Sequence, residues 1–132
     1  MILTHATIRE LPASVNAIWR VSKNHGVYKT SEAKDFQGRL ADELAMHYVG
    51  DLPFEDKVSV RIHLAKADRR EFDVDNRLKL ILDALQDSGV IKNDNQIYSL
   101  KVTKAIGKRA TLTSIVVEGD PNPELPEPEW WN

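Results

Sequence analysis

A single α+β domain is predicted, built as a mixed four-stranded sheet with two helices packed on one face. Three observations lead to it. Lys57–Lys66 reads Lys-Val-Ser-Val-Arg-Ile-His-Leu-Ala-Lys, with Val58, Val60, Ile62 and Leu64 on one side and Ser59, Arg61 and His63 on the other, which is the period of two of a half-buried strand. Two other stretches carry apolar residues at helical spacing. The elements follow the order strand, helix, strand, helix, strand, strand within 132 residues, a length that suits one core and leaves no room for two.

From the N-terminus, Ile2–Glu10 alternates apolar and polar residues and is expected at a sheet edge. Ser31–Tyr48 places Phe36, Leu40, Leu44 and Tyr48 four apart, one stripe of an amphipathic helix. Asp75–Asp87 does the same with Leu78, Ile81, Leu82 and Leu85, and Gly89 stops it. Ile97–Lys104 and Thr111–Glu118 read as two further strands, and Ile106-Gly107-Lys108-Arg109 between them predicts a hairpin. With the helices on one face, the other is left for solvent, a dimer or a ligand. Residues 1–118 are therefore the folded domain. In 119–132, four of the six prolines (Pro121, Pro123, Pro126, Pro128) interleave with acids. Proline removes backbone donors and restricts φ, so Asp120–Asn132 is expected as an extended tail outside any sheet or helix. Trp130 and Trp131 either dock on a groove or stand exposed at a frayed end.

Composition narrows the functional classes. Hydrophobic residues are 42% and charged residues 29%, a globular profile, and no apolar run approaches the roughly 20 residues that cross a bilayer. No membrane partner is expected. Met1–Ile8 lacks the basic start and long apolar stretch of a secretory signal. The absence of cysteine excludes disulfide staples, thiolate zinc sites and cysteine nucleophiles, and it fits a reducing cytoplasm. The net charge is −2, but Glu118, Asp120, Glu124, Glu127 and Glu129 close the chain with no Lys or Arg among them, so residues 1–117 hold 18 basic against 15 acidic residues. A body of +3 permits a nucleic-acid partner without demanding one.

The chemistry concentrates in Asp68-Arg69-Arg70-Glu71-Phe72-Asp73-Val74-Asp75-Asn76-Arg77-Leu78-Lys79, between the best strand and the second helix. In an extended segment residues two apart point the same way, so Asp73 and Asp75 can present carboxylates to one point. Such hard oxygen ligands suit Mg²⁺ or Mn²⁺. The alternative is that Asp75 caps the helix and Asp73 is a solvated loop acid. A calcium EF-hand loop is excluded, because Arg77 stands where the third oxygen ligand belongs and no Gly follows. Lys79, one helical turn past Asp75, is placed to hold a phosphate, or else it pairs with Asp75 or Asp83. Asn93-Asp94-Asn95-Gln96 is a polar turn that the sheet can bring back beside the first pair, making Asp94 a third ligand, or it is an ordinary Asx turn. His5, His25, His47 and His63 show no metal-ligand spacing.

Asp73-x-Asp75-Asn76-x-x-Lys79, followed by Leu85, Gly89 and Asn93-Asp94-Asn95-Gln96-Ile97, resembles the RusA family of Holliday junction resolvases. Leu11-Pro12-Ala13-Ser14-Val15-Asn16 is similar to the family's Pro-x-Ser-x-Asn element, and Lys101-Val102-Thr103-Lys104 to its basic strand. The resemblance spans roughly residues 5–118. It implies that Asp73, Asp75 and Asp94 are the metal-binding catalytic aspartates, that Lys79 is the catalytic lysine, and that a homodimer nicks four-way DNA junctions symmetrically with Mg²⁺ or Mn²⁺, in a bacterial or phage-infected cytoplasm. Arg69, Arg70, Asn16, Lys101 and Lys104 are the expected DNA contacts, although Arg69 and Arg70 also suit a role neutralising the carboxylates. Trp19, next to Arg20, either stacks on unpaired bases or is buried. This chain departs from the family in its lower basicity and its acidic Trp-Trp tail, which either lies over the basic groove or is solvated. Rival readings are a non-catalytic binder of branched DNA, a nuclease for flaps and other branches, and a regulatory partner acting through the tail.

Overall fold

The alternation of Val58, Val60, Ile62 and Leu64 buries one whole side of that strand, and the fold is arranged to cover it. The computed structural model describes residues 1–24 and 26–119; His25 and the tail from Asp120, with Trp130 and Trp131, lie outside the described residues. In chain order the elements are β1 (Ile2–Ile8), α1 (Val15–Ile18), β2 (Trp19–Ser22), β3 (Gly26–Lys29), α2 (Ser31–Met46), β4 (Val58–Ala65), α3 (Leu78–Asp87), β5 (Ile97–Ala105) and β6 (Leu112–Gly119). Short 3-10 turns occupy Asp75–Arg77 and Asp94–Gln96. The domain is α+β, as expected, with β1–β6–β4–β5 as the order of a mixed four-stranded sheet. β6 runs antiparallel to both neighbours, and β4 pairs parallel with β5.

Each main element follows from its sequence. Thr30 caps α2 by accepting from the Ala33 amide at 3.2 Å, and Phe36, Leu40 and Leu44 turn inward. α3 ends at Gly89, whose φ of +78° suits the left-handed residue after a helix. Its buried stripe is Leu80, Ile81, Ala84 and Leu85, with Leu78 and Leu82 only half-buried, because α2 packs along its flank as well. These side chains meet β4, Leu3, Ala6 and Ile8 of β1, and Ile115 and Val117 of β6 in one core. Phe36→Ala is expected to cost about 3–5 kcal/mol, read from the midpoint shift in denaturant unfolding.

Three features differ from the sequence expectation. The expected hairpin of the last two strands is not formed: β4 lies between β5 and β6. Residues 106–111 step over the end of β4, and the Gly107 amide bonds the Asp68 carbonyl at 2.8 Å while Lys108 bonds Lys66 at 3.2 Å. The reason is burial, since β4 is the strand with a fully apolar side and gains most from two neighbours. The second feature is the short α1 and the separate antiparallel pair of β2 and β3, which add to the two expected helices and four strands. The third concerns the second helix, which begins as a 3-10 turn over Asp75–Arg77 before α3 proper.

The helix-free face carries Ser59, Arg61 and His63 of β4, Lys101 and Thr103 of β5, and Ser114 of β6. A shallow groove of about 300 Å³ lies along Arg61, His63, Lys101, Thr103, Ser114 and Val116. No helix among the described residues is long and apolar enough to cross a membrane.

Candidate active site

The segment after β4 is fastened at both ends. Near its start, the Ala67 amide donates to Thr111 Oγ1 at 3.0 Å, and Lys66 N bonds the Ala105 carbonyl at 2.9 Å. Asp68 accepts from the Arg70 amide at 2.9 Å, and this bond, with Lys66 and the Arg70 guanidinium nearby, holds its carboxyl below the ordinary 3.8. Further on, Phe72 is buried, and the ammonium groups of Lys66 and Lys104 and the Arg77 guanidinium lie 5.3–5.9 Å from its ring centre. Lys104 Nζ also donates to the Phe72 carbonyl and to Glu71, each at 2.8 Å. An aromatic anchor ringed by three cations therefore sits immediately before Asp73.

Asp73 and Asp75 are exposed and meet on one residue. Asn76 donates its amide N–H to Asp75 Oδ1 at 3.0 Å and its side-chain Nδ2 to Asp73 Oδ2 at 3.4 Å. Backbone pleat does not bring the carboxylates together, because Val74 between them is helical, at φ −66° and ψ −39°. The turn and Asn76 do so instead. Asp75 does not cap α3: Arg77 stands at the N-cap position, with no side-chain capping bond. Arg77 Nη1 instead donates to the Pro12 carbonyl at 2.6 Å, and α1, which carries exposed Asn16, packs against the 3-10 turn. The Pro-x-Ser-x-Asn element is thus tied to the aspartates.

Lys79 pairs with Asp83 at 3.3 Å, one of the alternatives open from the sequence. Asp83 has a second and less exposed partner in Lys29, at 2.9 Å, whose ammonium also reaches Gln37 at 2.7 Å and lies 5.6 Å from the Trp19 ring centre. Trp19 is partly exposed on β2.

Asp94 opens the second 3-10 turn. The turn's local bonds are made by its neighbours. Asn93 Oδ1 accepts from the Asn95 amide at 2.9 Å, and Gln96 Oε1 accepts from the Lys92 and Asn93 amides at 2.8 and 3.0 Å. Gln96 Nε2 ties the turn to the Phe54 and Asp56 carbonyls ahead of β4. The Asx-turn role therefore belongs to Asn93, and the exposed Asp94 carboxylate makes no hydrogen bond among the described residues.

Within one chain Asp94 does not return to the side of Asp73 and Asp75. Its amide bonds Gln86 at the C-terminal end of α3, whereas Asp75 precedes the N-terminal end. A ten-residue helix is about 15 Å long. The parallel pairing of β4 and β5 imposes this separation, because α3 must carry the chain back down the sheet before β5 can start beside β4. Accordingly, no three His, Cys, Asp or Glu side chains among the described residues form a metal-holding group.

The basic residues divide between surfaces. Arg70 is highly exposed and pairs with Asp68 at 3.4 Å, while the Arg69 side chain lies across Gly107; among the described residues neither is ion-paired with Asp73 or Asp75. Lys101 and Lys104 are three apart on one strand and so face opposite ways. Lys104 is at the aspartate end on the helix side, and Lys101 is on the open face beside Arg61. Sequence reading passed over Lys29, Lys66, Arg77 and the bridging role of Asn76. Asn76 had a signal, its place inside the Asp-x-Asp-Asn motif, whereas the other three depend on long-range contacts.

Residues 10–118 match the family described as Endodeoxyribonuclease RusA. The chain is also 33% identical over 110 residues, 82% of its length and 86% of the relative's, to Crossover junction endodeoxyribonuclease RusA of Aquifex aeolicus (strain VF5). With the Asp-x-Asp-Asn turn and the Asn-Asp-x-Gln turn both built and both leaving their aspartates exposed, the chain belongs to the RusA family of endodeoxyribonucleases.

Proposed function

We propose that this chain cuts four-way DNA junctions as a metal-dependent homodimer, one nick per subunit. The observation that carries the reading is the pairing of two exposed carboxylates, Asp73 and Asp75, on Asn76 beside a cluster of cations, with neither carboxylate used as a helix cap. The crossover-junction activity named for the Aquifex aeolicus relative supplies the substrate class.

The donor set fits a hard divalent ion. Mg²⁺ takes one or two carboxylates and leaves its other positions to water and phosphate oxygens, which is what two exposed aspartates in a polar turn offer. Asp73 and Asp75 would hold it, and when bound it supplies Lewis-acid polarisation of the phosphate and a more acidic water. The chain's own residues do the positioning. Asn76 donates to one oxygen of each carboxylate and so restrains their orientation. Lys79 leaves Asp83 to Lys29 and turns its ammonium to the phosphate being cut, where it offsets growing negative charge. Arg69, Arg70 and Asn16 hold the flanking backbone, and Lys101, on the other face, meets a different stretch of it.

Two arguments support the homodimer. A junction with two-fold symmetry needs two equivalent cuts, which a closed two-fold assembly provides. The second is the place of Asp94, about a helix length from Asp75 in its own chain, with a carboxylate that makes no hydrogen bond among the described residues and is available to a neighbour. In this reading Asp94 of the partner subunit completes each carboxylate group.

The test is cleavage of a labelled synthetic four-way junction beside a linear duplex of the same sequence. Paired nicks on the junction alone are expected, abolished by EDTA and reduced on the order of 10²–10³-fold by Asp75→Asn. Tight junction binding without cleavage in Mg²⁺ or Mn²⁺ would point instead to a silent binder.

A further inference from the structure

Residues 69–73 lead from the end of β4 toward the first 3-10 turn without a strand partner of their own. Behind them the Gly107 amide holds the Asp68 carbonyl at 2.8 Å, and ahead of them Arg77 holds the Pro12 carbonyl at 2.6 Å. Between these ties, and among the described residues, Lys104 is the one group from elsewhere in the fold that bonds residues 69–73; their other partners, Asp68 and Asn76, are chain neighbours. The Lys104 ammonium donates at 2.8 Å to the Phe72 carbonyl and at 2.8 Å to Glu71, and it lies 5.3 Å from the Phe72 ring centre. The other two cations near that ring are engaged elsewhere, Lys66 with Asp68 at 3.6 Å and Arg77 with Pro12.

We propose that Lys104 is a positioning residue for the metal site: its bond to the Phe72 carbonyl fixes the backbone one residue before Asp73, and so sets how tightly Asp73 and Asp75 hold a divalent ion. This rests on the metal-dependent reading above and deepens it, and it takes Lys104 away from the expected DNA contacts. A phosphate contact needs donors turned to solvent. Two of the three donors of Lys104 are already used within the fold, and its side chain is 38% accessible, against 84% for Arg70.

The demands of the ion make a backbone tether matter. Mg²⁺ takes its oxygen ligands at about 2.0–2.1 Å in close to octahedral geometry, so a small displacement of either carboxylate weakens binding. Asn76 restrains the two aspartates relative to each other, at 3.0 and 3.4 Å, but it does so from within the same turn. Lys104 ties them to the sheet, because it stands opposite Leu64 of β4, the strand held between two neighbours. Phe72 supplies the apolar part of the same anchor, and its partly buried carbonyl needs a donor. Without the ammonium, residues 69–73 keep only chain neighbours as partners. They must then be ordered when the ion binds, and that entropic cost lowers its affinity.

Mn²⁺ titrated into the DNA-free protein, with the free ion followed by electron paramagnetic resonance, reads the site directly. Lys104→Met keeps an unbranched stem over Phe72 and removes the ammonium, and Mn²⁺ binding is expected to weaken by about 10-fold or more. The Mg²⁺ concentration for half-maximal junction cleavage rises by a similar factor, and much of the rate returns at saturating Mg²⁺. Junction binding in EDTA keeps the wild-type dependence on salt, whereas Arg70→Met lowers that slope by about one phosphate contact. Lys104→Arg, which can still donate to the carbonyl, recovers most of the Mn²⁺ affinity. Glu71→Gln leaves it unchanged, because Glu71 is 72% exposed and the carbonyl bond remains. Wild-type Mn²⁺ affinity in Lys104→Met overturns the positioning role and leaves the nuclease standing; a lower salt slope in the same variant makes Lys104 a phosphate contact. An equal loss in Lys104→Arg, or loss of cooperative unfolding in Lys104→Met, also overturns it, since support of the fold then accounts for the effect. Weakened Mn²⁺ binding in Lys104→Met, in a protein that cuts no junction, supports the positioning role and removes the proposed function. A wild type that neither binds Mn²⁺ nor cuts junctions overturns both.

Discussion

Asp75→Asn and Asp94→Asn, each inactive alone, recover junction nicking when mixed and allowed to exchange subunits. In a mixed dimer one site combines both substitutions and the other has neither, provided each site takes Asp73 and Asp75 from one chain and Asp94 from its partner. Random exchange makes half of the dimers mixed, so about one quarter of all sites are intact, against a background on the order of 10²–10³-fold below wild type for either variant alone. The products are single nicks in place of paired cuts, because each mixed dimer has one working site. If all three aspartates acted within one chain, every site in the mixture would keep one lesion and nothing would be restored. A strand-specific label on the junction distinguishes the outcomes directly.

The second large effect separates two lysines that share one carboxylate. Lys79→Met is expected to lower cleavage by about 10²-fold with junction binding and unfolding midpoint unchanged. Asp83 keeps its shorter contact to Lys29 at 2.9 Å, so the fold loses only an exposed i,i+4 pair. Lys29→Met does the reverse. It removes a partly buried ammonium that binds Asp83 and Gln37 and covers Trp19, and a stability loss of about 1–3 kcal/mol follows. Cleavage at a temperature where the variant remains folded stays near wild type, since Lys79 is still present. Single-turnover cleavage with thermal unfolding on the same samples checks both.

Much of the chemistry was readable because it is local. Asp73-x-Asp75-Asn76 lies within four residues, and the turn Asn93–Gln96 satisfies its own amides through Asn93 and Gln96, so short-range bonding leaves the aspartates exposed. β4 and α2 were equally plain, as their periodicity records which side meets the core. β2 and β3 were not. Four-residue strands carry too little alternation to register, and a two-stranded pair is marginal without neighbours; here α1 and Lys29 hold it.

By itself, then, the sequence determined the class of the domain, the Asp-x-Asp-Asn motif, the polar turn at Asn93–Gln96 and the helices that bury Phe36, Leu40, Leu44 and Leu85, whereas it read Asp73–Asp75 as extended and the structure makes it a helical turn. Tertiary structure alone decided the insertion of β4 between β5 and β6, the opposite faces taken by Lys101 and Lys104, and the placing of Asp94 at the far end of α3. Periodicity states which side of an element is buried but not which neighbour buries it, and strand order is settled by competition among long-range pairings that leave no short-range mark.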